Sequence, residues 1–437
     1  MKKYLGVIVV ILTMSLSILA DSYIGIGVNL VLILLSLLAL KKGLSLEEII
    51  DSGFSSGKKA FLVMKIFLLV GAVSSIWIMS GTIPIVVYQG VRLMNPEYFY
   101  LSSFLITSVV AFLLGSSFGT AGTVGIAMIA IGKGLGADLS IVGGTVISGA
   151  YFGDRCSPVS SSANLVATLT ETNLYTNIKN MFKTGSIPFI ITGILYVFCN
   201  SNGDKIVKNI SMLELLENNF NLSYLNFLPI GIILFLTLFR TNVKISLSLS
   251  ILAAIFLSFF IQGYEIIDIF KTLIFGFFFE EKNPLYNILK GGGVISMWKT
   301  CMIVFISCCL SGIIQKLQLF NKLESFILKS KNEMGLYIWT MIVSIITGMF
   351  GCNQSIAVVM TIDIMKNSYK IKEIAKEKLA IDIENSAIVL SALIPWNLAS
   401  LVPATVMEMK NFEYLIYSFY VILLPIFTLT YKKLIKK

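Results

Sequence analysis

Two polar strings interrupt otherwise apolar stretches of the chain and carry its most reactive side chains. The first, residues 144–165, joins Asp154 to a proline and to several hydroxyl and amide side chains, and the second, residues 381–400, places Glu384 ahead of an apolar run that another proline breaks. Oxygen ligands of this kind, with backbone carbonyls freed where a helix breaks, suit a small hard cation. We therefore predict an ion- and proton-binding site. Its candidate members are Asp154, Ser157, Ser160, Asn164, Glu384, Asn385, Ser386 and Asn397.

Each string also has a purely structural alternative. Asp154 and Arg155 could be solvated in a cytoplasmic loop, and Glu384 could lie at a membrane rim beside Lys376 and Lys378. A carboxylate at the centre of a membrane helix costs about 2.5–3.5 kcal/mol, so such a residue is kept for a function or a partner. The concentration of small polar residues in both strings favours the site over the alternatives.

Between these strings lie two further polar interruptions that contain glycine, at residues 115–125 and 348–355. They contribute side-chain oxygens that could also hold a cation, although small residues at a helix crossing would have the same composition. The secondary candidates are Thr120, Thr123, Asn353 and Gln354.

The amino-acid composition indicates the kind of structure that must position these side chains. Of the 437 residues, 56% are hydrophobic and 13% are charged, whereas a soluble domain has about a quarter charged residues. Because about 20 apolar residues cross a bilayer as a helix, we predict an all-α polytopic membrane protein of 10–12 transmembrane helices. Several apolar runs are too short to cross alone, which predicts re-entrant or broken helices.

Charge and missing motifs narrow the function classes. The net charge of +10 comes from basic residues in short breaks between apolar runs, as membrane topology requires, so no nucleic acid partner is expected. There is no histidine, no nucleotide-binding GxxxxGK[ST] loop and no visible nucleophile–base pair, and the six cysteines form no CxxC pair. We therefore expect a transporter in the lipid bilayer, with no catalytic residues, no cofactor and no resident metal cluster.

The chain divides into a terminal hairpin and two similar halves. We predict a transmembrane hairpin and cytoplasmic connector over residues 1–60, with Met1–Ala20 retained as the first span, then repeats over 61–199 and 223–437 around a polar connector, 200–222. Three landmarks recur 230 to 232 positions apart, which indicates a duplication, and duplicated halves with broken helices are typical of secondary transporters. Lysines near both ends place both termini in the cytoplasm. The landmark pairs are Ser80 and Ser311, Gly119 and Gly351, and Asp154 and Glu384.

The strings SGAYFGDRCSPVSSSANL and ENSAIVLSALIPWN, with SGTIP and GSSFGTAGTVGIA, resemble the NhaC family of sodium/proton antiporters, a group that also includes malate/lactate and amino-acid exchangers. The resemblance runs from about Trp77 to the last span. It implies Na⁺/H⁺ antiport across the cell membrane, inverted repeats and dimers, with Na⁺ and H⁺ held at the candidate residues above. It adds Trp396 to the secondary candidates and gives Asp154 and Glu384 competing roles for cation and proton.

The chain departs from the family pattern at three positions, Ser161, Asn353 and Asn385, where the pattern has Asp. Fewer carboxylates should weaken cation binding. A sodium- or proton-coupled carrier of a small organic acid or amino acid therefore stays open as the alternative function, and a passive ion channel is the third.

Overall fold

The computed structural model describes residues 24–434, apart from residues 59, 159, 202–209, 240, 242, 280–284, 286–288, 290, 318–326, 329, 331, 410 and 411. The predicted first span, Met1–Ala20, lies outside the described residues, as do residues 202–209 of the predicted polar connector. Over the described ranges the fold is helical, with one isolated bridge between Phe277 and Gly291 and no strand.

The helices fall into two sets on either side of residues 202–209. The first set is α1 (Ile24–Lys41), α2 (Leu46–Gly57), α3 (Ala60–Met79), α4 (Thr82–Leu93), α5 (Phe99–Leu114), α6 (Ser117–Leu135), α7 (Leu139–Cys156), α8 (Ser161–Thr170) and α9 (Leu174–Ser201). The second set is α10 (Ile210–Asn219), α11 (Leu228–Leu238), α12 (Val243–Phe260), α13 (Ile266–Phe275), α14 (Trp298–Leu317), α15 (Glu333–Gly351), α16 (Gln354–Ile371), α17 (Lys376–Leu393), α18 (Leu398–Val406) and α19 (Phe419–Leu434).

Many of these helices are membrane spans by length and composition. Within the described ranges six helices are long and apolar enough to cross a membrane, or up to nine if each of three bent pairs is one span. The pairs bend by 67° between α3 and α4, by 100° between α10 and α11, and by 52° between α17 and α18. The all-α membrane fold with broken helices is thus confirmed, while the predicted number of 10–12 spans stays a prediction.

The polar interruptions of the sequence are the points where helices end and begin. Gly115 ends α5 in the left-handed conformation, and Ser116 then caps α6 by accepting the Gly119 amide at 3.1 Å. After α7, Ser160 caps α8 in the same way. A side-chain oxygen at the N-cap satisfies an amide that has no partner within the helix. The helices therefore break at polar residues and not at random points in the apolar runs.

Left-handed backbone positions recur at one spacing in the two halves. Three residues of the first half have positive φ values of 56° to 69°, and three in the second half have values of 52° to 55°. Each second-half residue follows its counterpart by 237 positions. The pairs are Gly115 and Cys352, Gly136 and Glu373, and Glu171 and Glu408.

Helix caps and internal prolines follow the same spacing. Asn353 caps α16 as Ser116 caps α6, and Asn397 caps α18 as Ser160 caps α8, each 237 positions later. The prolines inside α9 and α19 are 237 positions apart as well. At this spacing Asp154 corresponds to Ser391, so the two acidic residues of the predicted 230–232 spacing are not structural counterparts.

The two halves pack into each other around the polar strings. Helix α8 of the first half contacts α16 and α17 of the second half, while α19 of the second half contacts α7 and α9 of the first. Tyr151 on α7 also donates to the backbone oxygen of Ala399 on α18 at 2.6 Å. The strings that contain Asp154 and Glu384 therefore meet at the contact between the halves.

Candidate functional site

Asp154 lies near the end of α7 with only 4% of its surface exposed. Ser117 donates a hydrogen bond to one carboxylate oxygen at 3.0 Å, and Ser160 and Ser162 donate to the other at 2.8 and 3.4 Å. These serines come from α6, from the break after α7 and from α8. Hydroxyl donors to a carboxylate favour its charged form, and the same oxygens can turn their lone pairs toward a cation. We call Asp154, Ser117, Ser160 and Ser162 the hydroxyl cage.

The break beside the hydroxyl cage is held by its own polar groups. Ser157 is fully buried with an extended backbone, and Ser160 accepts the Ala163 amide at 3.2 Å to begin α8. The exposed Asn164 amide donates to the backbone oxygens of Ser160 at 2.6 Å and Pro158 at 3.3 Å. Ser160 is therefore part of the hydroxyl cage and Ser157 is buried in the same break, whereas Asn164 braces the break from its exposed side.

Arg155 follows Asp154 but faces different partners. Its guanidinium is fully buried and donates to the Tyr420 hydroxyl at 2.7 Å, to the Asn385 side-chain oxygen at 2.5 Å and to two oxygens of α9. No carboxylate lies within 4 Å of it in the part of the chain that the structure describes. The alternative of a solvated loop for Asp154 and Arg155 is wrong, because both are buried in a helix.

Glu384 is the most isolated charged group of the described residues. It is fully buried, and neither of its carboxylate oxygens has a hydrogen-bond partner among the residues whose positions are described. The fields of Arg155 and Asp154 act on it. Lys376 and Lys378, which the alternative placed beside Glu384, pair instead with Glu171 and Glu333, both at 2.5 Å.

The backbone around Glu384 is unusual in a way that fits a binding site. Residues Glu384–Ile388 form a π-helical turn inside α17, and π-turns within α-helices are frequent at functional sites. Gln354 donates to the Ile388 backbone oxygen at 3.1 Å, which satisfies a carbonyl of this turn. Residues Ala121–Gly125 of α6 form a second π-helical turn, close in sequence to Ser117 of the hydroxyl cage.

Asn385 and Ser386 lie next to Glu384 but already have protein partners. Asn385 accepts from Arg155 and donates to Thr428 at 3.0 Å. Ser386 donates to the backbone oxygen of Asp382 at 2.6 Å. Both side chains therefore shape the surroundings of Glu384, and neither points a free oxygen to a cation in this conformation.

The second break is built like the first but without a carboxylate. Asn397 accepts the Ala399 amide at 2.9 Å and donates to the Gly348 oxygen at 2.8 Å, and Trp396 donates to the Met349 oxygen at 2.8 Å. These bonds fix the start of α18 to the end of α15. Asn397 and Trp396 thus position the break.

The remaining secondary candidates bond locally. Thr120 and Thr123 donate to backbone oxygens of the preceding turn at 2.8 and 2.9 Å. Asn353 accepts the Ser355 amide at 2.8 Å as the cap of α16. These three side chains therefore form hydrogen bonds with the backbone of their own helices.

Comparison with known proteins decides the family. A sequence model described as the Na⁺/H⁺ antiporter family matches residues 149–432, which include both polar strings. The chain belongs to the Na⁺/H⁺ antiporter family. The Na⁺/H⁺ antiporter NhaC of Alkalihalophilus pseudofirmus is 30% identical over 395 residues, covering 88% of this chain and 84% of that protein.

Other relatives in the antiporter family carry different names. The malate-2H⁺/Na⁺-lactate antiporter of Bacillus subtilis is 28% identical over 92% of this chain and 88% of its own length. The arginine/ornithine antiporter ArcD of Halobacterium salinarum is 26% identical over 84% of this chain and 76% of its own. The resemblance to NhaC antiporters is therefore confirmed, and the chain is a multi-pass secondary transporter.

The structure of this antiporter-family chain adds polar residues that the sequence did not single out. Asp382, two residues before Glu384, is fully buried and accepts from the Tyr369 hydroxyl and the Lys432 ammonium, both at 2.7 Å. Tyr420 holds Arg155. A carboxylate in the second polar string was a signal for Asp382, but Lys432 belongs to a basic tail, Tyr369 to the basic break 366–378 and Tyr420 to an apolar run.

Proposed function

We propose that this antiporter-family chain exchanges Na⁺ for H⁺ across the cell membrane and that Glu384 carries the proton. One observation supports the proposal most strongly, the complete burial of Glu384 without a hydrogen bond to either oxygen among the described residues. An ionised carboxylate taken out of water without a partner costs several kcal/mol. Glu384 is therefore neutral until a positive charge nearby compensates its own.

The hydroxyl cage is the proposed cation site. Asp154 supplies one negative charge, and Ser117, Ser160 and Ser162 already place their oxygens within 3.4 Å of its carboxylate. A bound Na⁺ would take these oxygens as ligands once the hydroxyl hydrogens rotate away. Oxygen donors of this kind are those that hard cations select.

Electrostatic coupling between the two carboxylates makes cation and proton compete. Asp154 repels the charged form of Glu384, while Arg155 attracts it. Na⁺ bound at Asp154 cancels the repulsion, so that Arg155 alone acts on Glu384 and the proton leaves. Loss of Na⁺ restores the repulsion and the proton returns. A site that holds either ion but not both is what exchange requires.

In the proposed mechanism, movement of the two halves of the chain gives the shared site access to alternate sides of the membrane. Backbone positions, caps and prolines recur 237 positions apart, which supports a duplicated chain, and we propose that the halves have inverted orientations in the membrane. The hydroxyl cage belongs to the first half and Glu384 to the second. Movement of one half against the other would then expose the shared site to each side in turn.

The experiment is exchange by purified protein in proteoliposomes. Acid-loaded vesicles with an internal pH dye receive pulses of Na⁺, Li⁺ or K⁺, and the proposal expects the interior to become alkaline with Na⁺. Glu384→Gln should abolish the response. Glu413→Gln is the control, because the Glu413 carboxylate is exposed and accepts a hydrogen bond from Ser140, and this variant should keep the response. A Na⁺ response that survives in Glu384→Gln would contradict the proton role.

An organic cargo is the second candidate, and the name of the Bacillus subtilis relative gives its chemistry. Asn385 favours this candidate, because a neutral residue at that position leaves the buried charge of Arg155 without a carboxylate partner among the described residues, and an anionic solute would supply one. Counterflow of labelled malate or lactate, in protein that gives no cation-driven pH change, would move the assignment to an organic-acid carrier.

A further inference from the structure

A cavity lies away from the hydroxyl cage, between α3, α6 and the end of α18. The cavity opens to solvent, and its empty space is about 400 Å³ only when the open mouth is included, so the enclosed part is small. Most of its wall is aliphatic. The residues of that wall used below are Ile78, Ile83, Ile126 and Ile129.

Three polar side chains line the same cavity. Ser74 on α3 is only 4% exposed, and its hydroxyl has no hydrogen-bond partner within the described part of the chain. Lys133 near the end of α6 and Glu408 just beyond α18 supply opposite charges. Their charges interact, but they form no ion pair within 4 Å in the described structure. The cavity therefore offers a cation, an anion and a hydroxyl that are not satisfied by one another.

A glycine loop fixes the position of Glu408. The Gly292 amide donates to one of its carboxylate oxygens at 2.9 Å. A β-carbon on Gly291 would lie 2.7 Å from that oxygen, and one on Gly292 would lie 2.4 Å from the Ser75 amide nitrogen. Both glycines also have positive φ values, 121° and 71°. The loop thus holds one oxygen of Glu408 and leaves the other for a ligand.

The residues at the equivalent positions of the other half provide a comparison, because the carboxylate there is already paired within the protein. Glu171 and Lys370 are the counterparts of Glu408 and Lys133 at the 237-residue spacing. Glu171 pairs with Lys366 at 3.0 Å and with Lys376 at 2.5 Å, so its charge is fully compensated. Glu408 is acted on by the charge of Lys133 but forms no ion pair within 4 Å among the described residues, and this difference from Glu171 points to a ligand at Glu408.

We propose that this cavity binds a small zwitterionic amino acid. Its ammonium group contacts Glu408, its carboxylate contacts Lys133 and Ser74, and a short aliphatic side chain lies on the isoleucine wall. Opposite charges at one mouth select a zwitterion over a simple carboxylate or amine, because each of those leaves one charge of the protein without a partner. The limited space selects glycine, alanine or valine over larger residues.

Equilibrium binding of radiolabelled L-alanine to the full-length protein in nanodiscs tests the proposal. Wild type is expected to bind saturably, with propionate and ethylamine competing at least tenfold less well. Glu408→Gln and Lys133→Gln should each weaken binding at least tenfold. Glu171→Gln and Lys370→Gln, the matched changes in the other repeat, should bind as wild type does.

Failure of this proposal is distinguishable from failure of the exchange mechanism. Glu384→Gln is expected to lose ion exchange and keep alanine binding, so the binding readout is independent of Na⁺ and H⁺ movement. The proposal is overturned if folded wild type binds no glycine, alanine or valine. Equal competition by propionate, or loss of binding in Glu171→Gln as large as in Glu408→Gln, would overturn it as well.

Discussion

The guanidinium of Arg155 donates to the side-chain oxygen of Asn385 at 2.5 Å, and Asn385 directly follows the buried Glu384. The two residues belong to different halves of the chain and are 230 positions apart. Their bond carries a fixed positive charge to the π-helical turn of Glu384 without neutralising it. The proposed exchange depends on this arrangement, because Arg155 stabilises an ionised Glu384 only while no other carboxylate takes the charge.

Asn385→Asp tests this relationship. The new carboxylate should pair with Arg155 and cancel its field at Glu384, so that Glu384 keeps its proton to higher pH. We expect Na⁺-driven proton movement in proteoliposomes to need a more alkaline medium, with at least a tenfold lower rate at neutral pH. Asn385→Ser is the matched control, since it adds no charge. A pH profile that does not move in Asn385→Asp would contradict the role of Arg155.

Ser160→Ala should weaken Na⁺ activation more than it destabilises the fold. Loss of an N-cap costs about 1 kcal/mol, but Ser160 also donates to Asp154 in the hydroxyl cage. Ser116→Ala removes the equivalent cap of α6 with no bond to Asp154. We expect similar losses of thermal stability, with a rise of about tenfold in half-saturating Na⁺ only for Ser160→Ala. Equal Na⁺ activation in both variants would exclude Ser160 as a ligand.

Asp382 and Lys432 form a buried ion pair. Replacement of either residue alone should destabilise the protein. Removal of one partner from such a pair costs about 3–5 kcal/mol, because the other charge is left in the interior. Lys432→Met should therefore lower the melting temperature in nanodiscs strongly. The double variant Asp382→Asn with Lys432→Met should recover most of the loss, and a double variant less stable than both single variants would contradict the pairing.

Glu171, an exposed residue between α8 and α9, provides a pH test. Hydrogen bonds from Lys376 and Lys366 lower its pKa from 4.5 to about 2. A lowered pKa in the folded state means that the pairing stabilises the protein fully above pH 4.5 and that this contribution disappears as the pH falls toward 2. The melting temperature of wild type should exceed that of Glu171→Gln at pH 6, and the difference should shrink below pH 4.5. A difference independent of pH over this range would contradict the assignment.

The sequence predicted the broken helices and both central carboxylates because each has a strong local signal. Polar residues beside prolines in apolar runs marked the breaks, and acidic residues in those runs marked Asp154 and Glu384. Both carboxylates are buried, and their functional role stays a prediction. What the sequence could not show was their surroundings, since Tyr420, Lys432 and Ser117 come from distant segments that nothing local connects to the two strings.

The spacing at which backbone features recur was also hidden from the sequence, and the duplication itself stays a prediction. Left-handed residues, helix caps and internal prolines recur 237 positions apart, but different residue types occupy the matched positions in the two halves. Gly115 and Cys352 both take the left-handed conformation, and Ser160 and Asn397 both cap a helix. Matching residues of the same chemical type therefore pairs Asp154 with Glu384, whereas caps and dihedral angles pair Asp154 with Ser391.

Proton release on Na⁺ binding tests the central claim most directly, because it needs no transport. Purified protein in weakly buffered detergent solution with a pH dye is titrated with NaCl, and choline chloride serves as the ionic-strength control. We predict that wild type and Glu413→Gln acidify the medium in a saturable way and that Glu384→Gln does not. Saturable acidification by Glu384→Gln equal to that of wild type would show that the exchanged proton resides elsewhere.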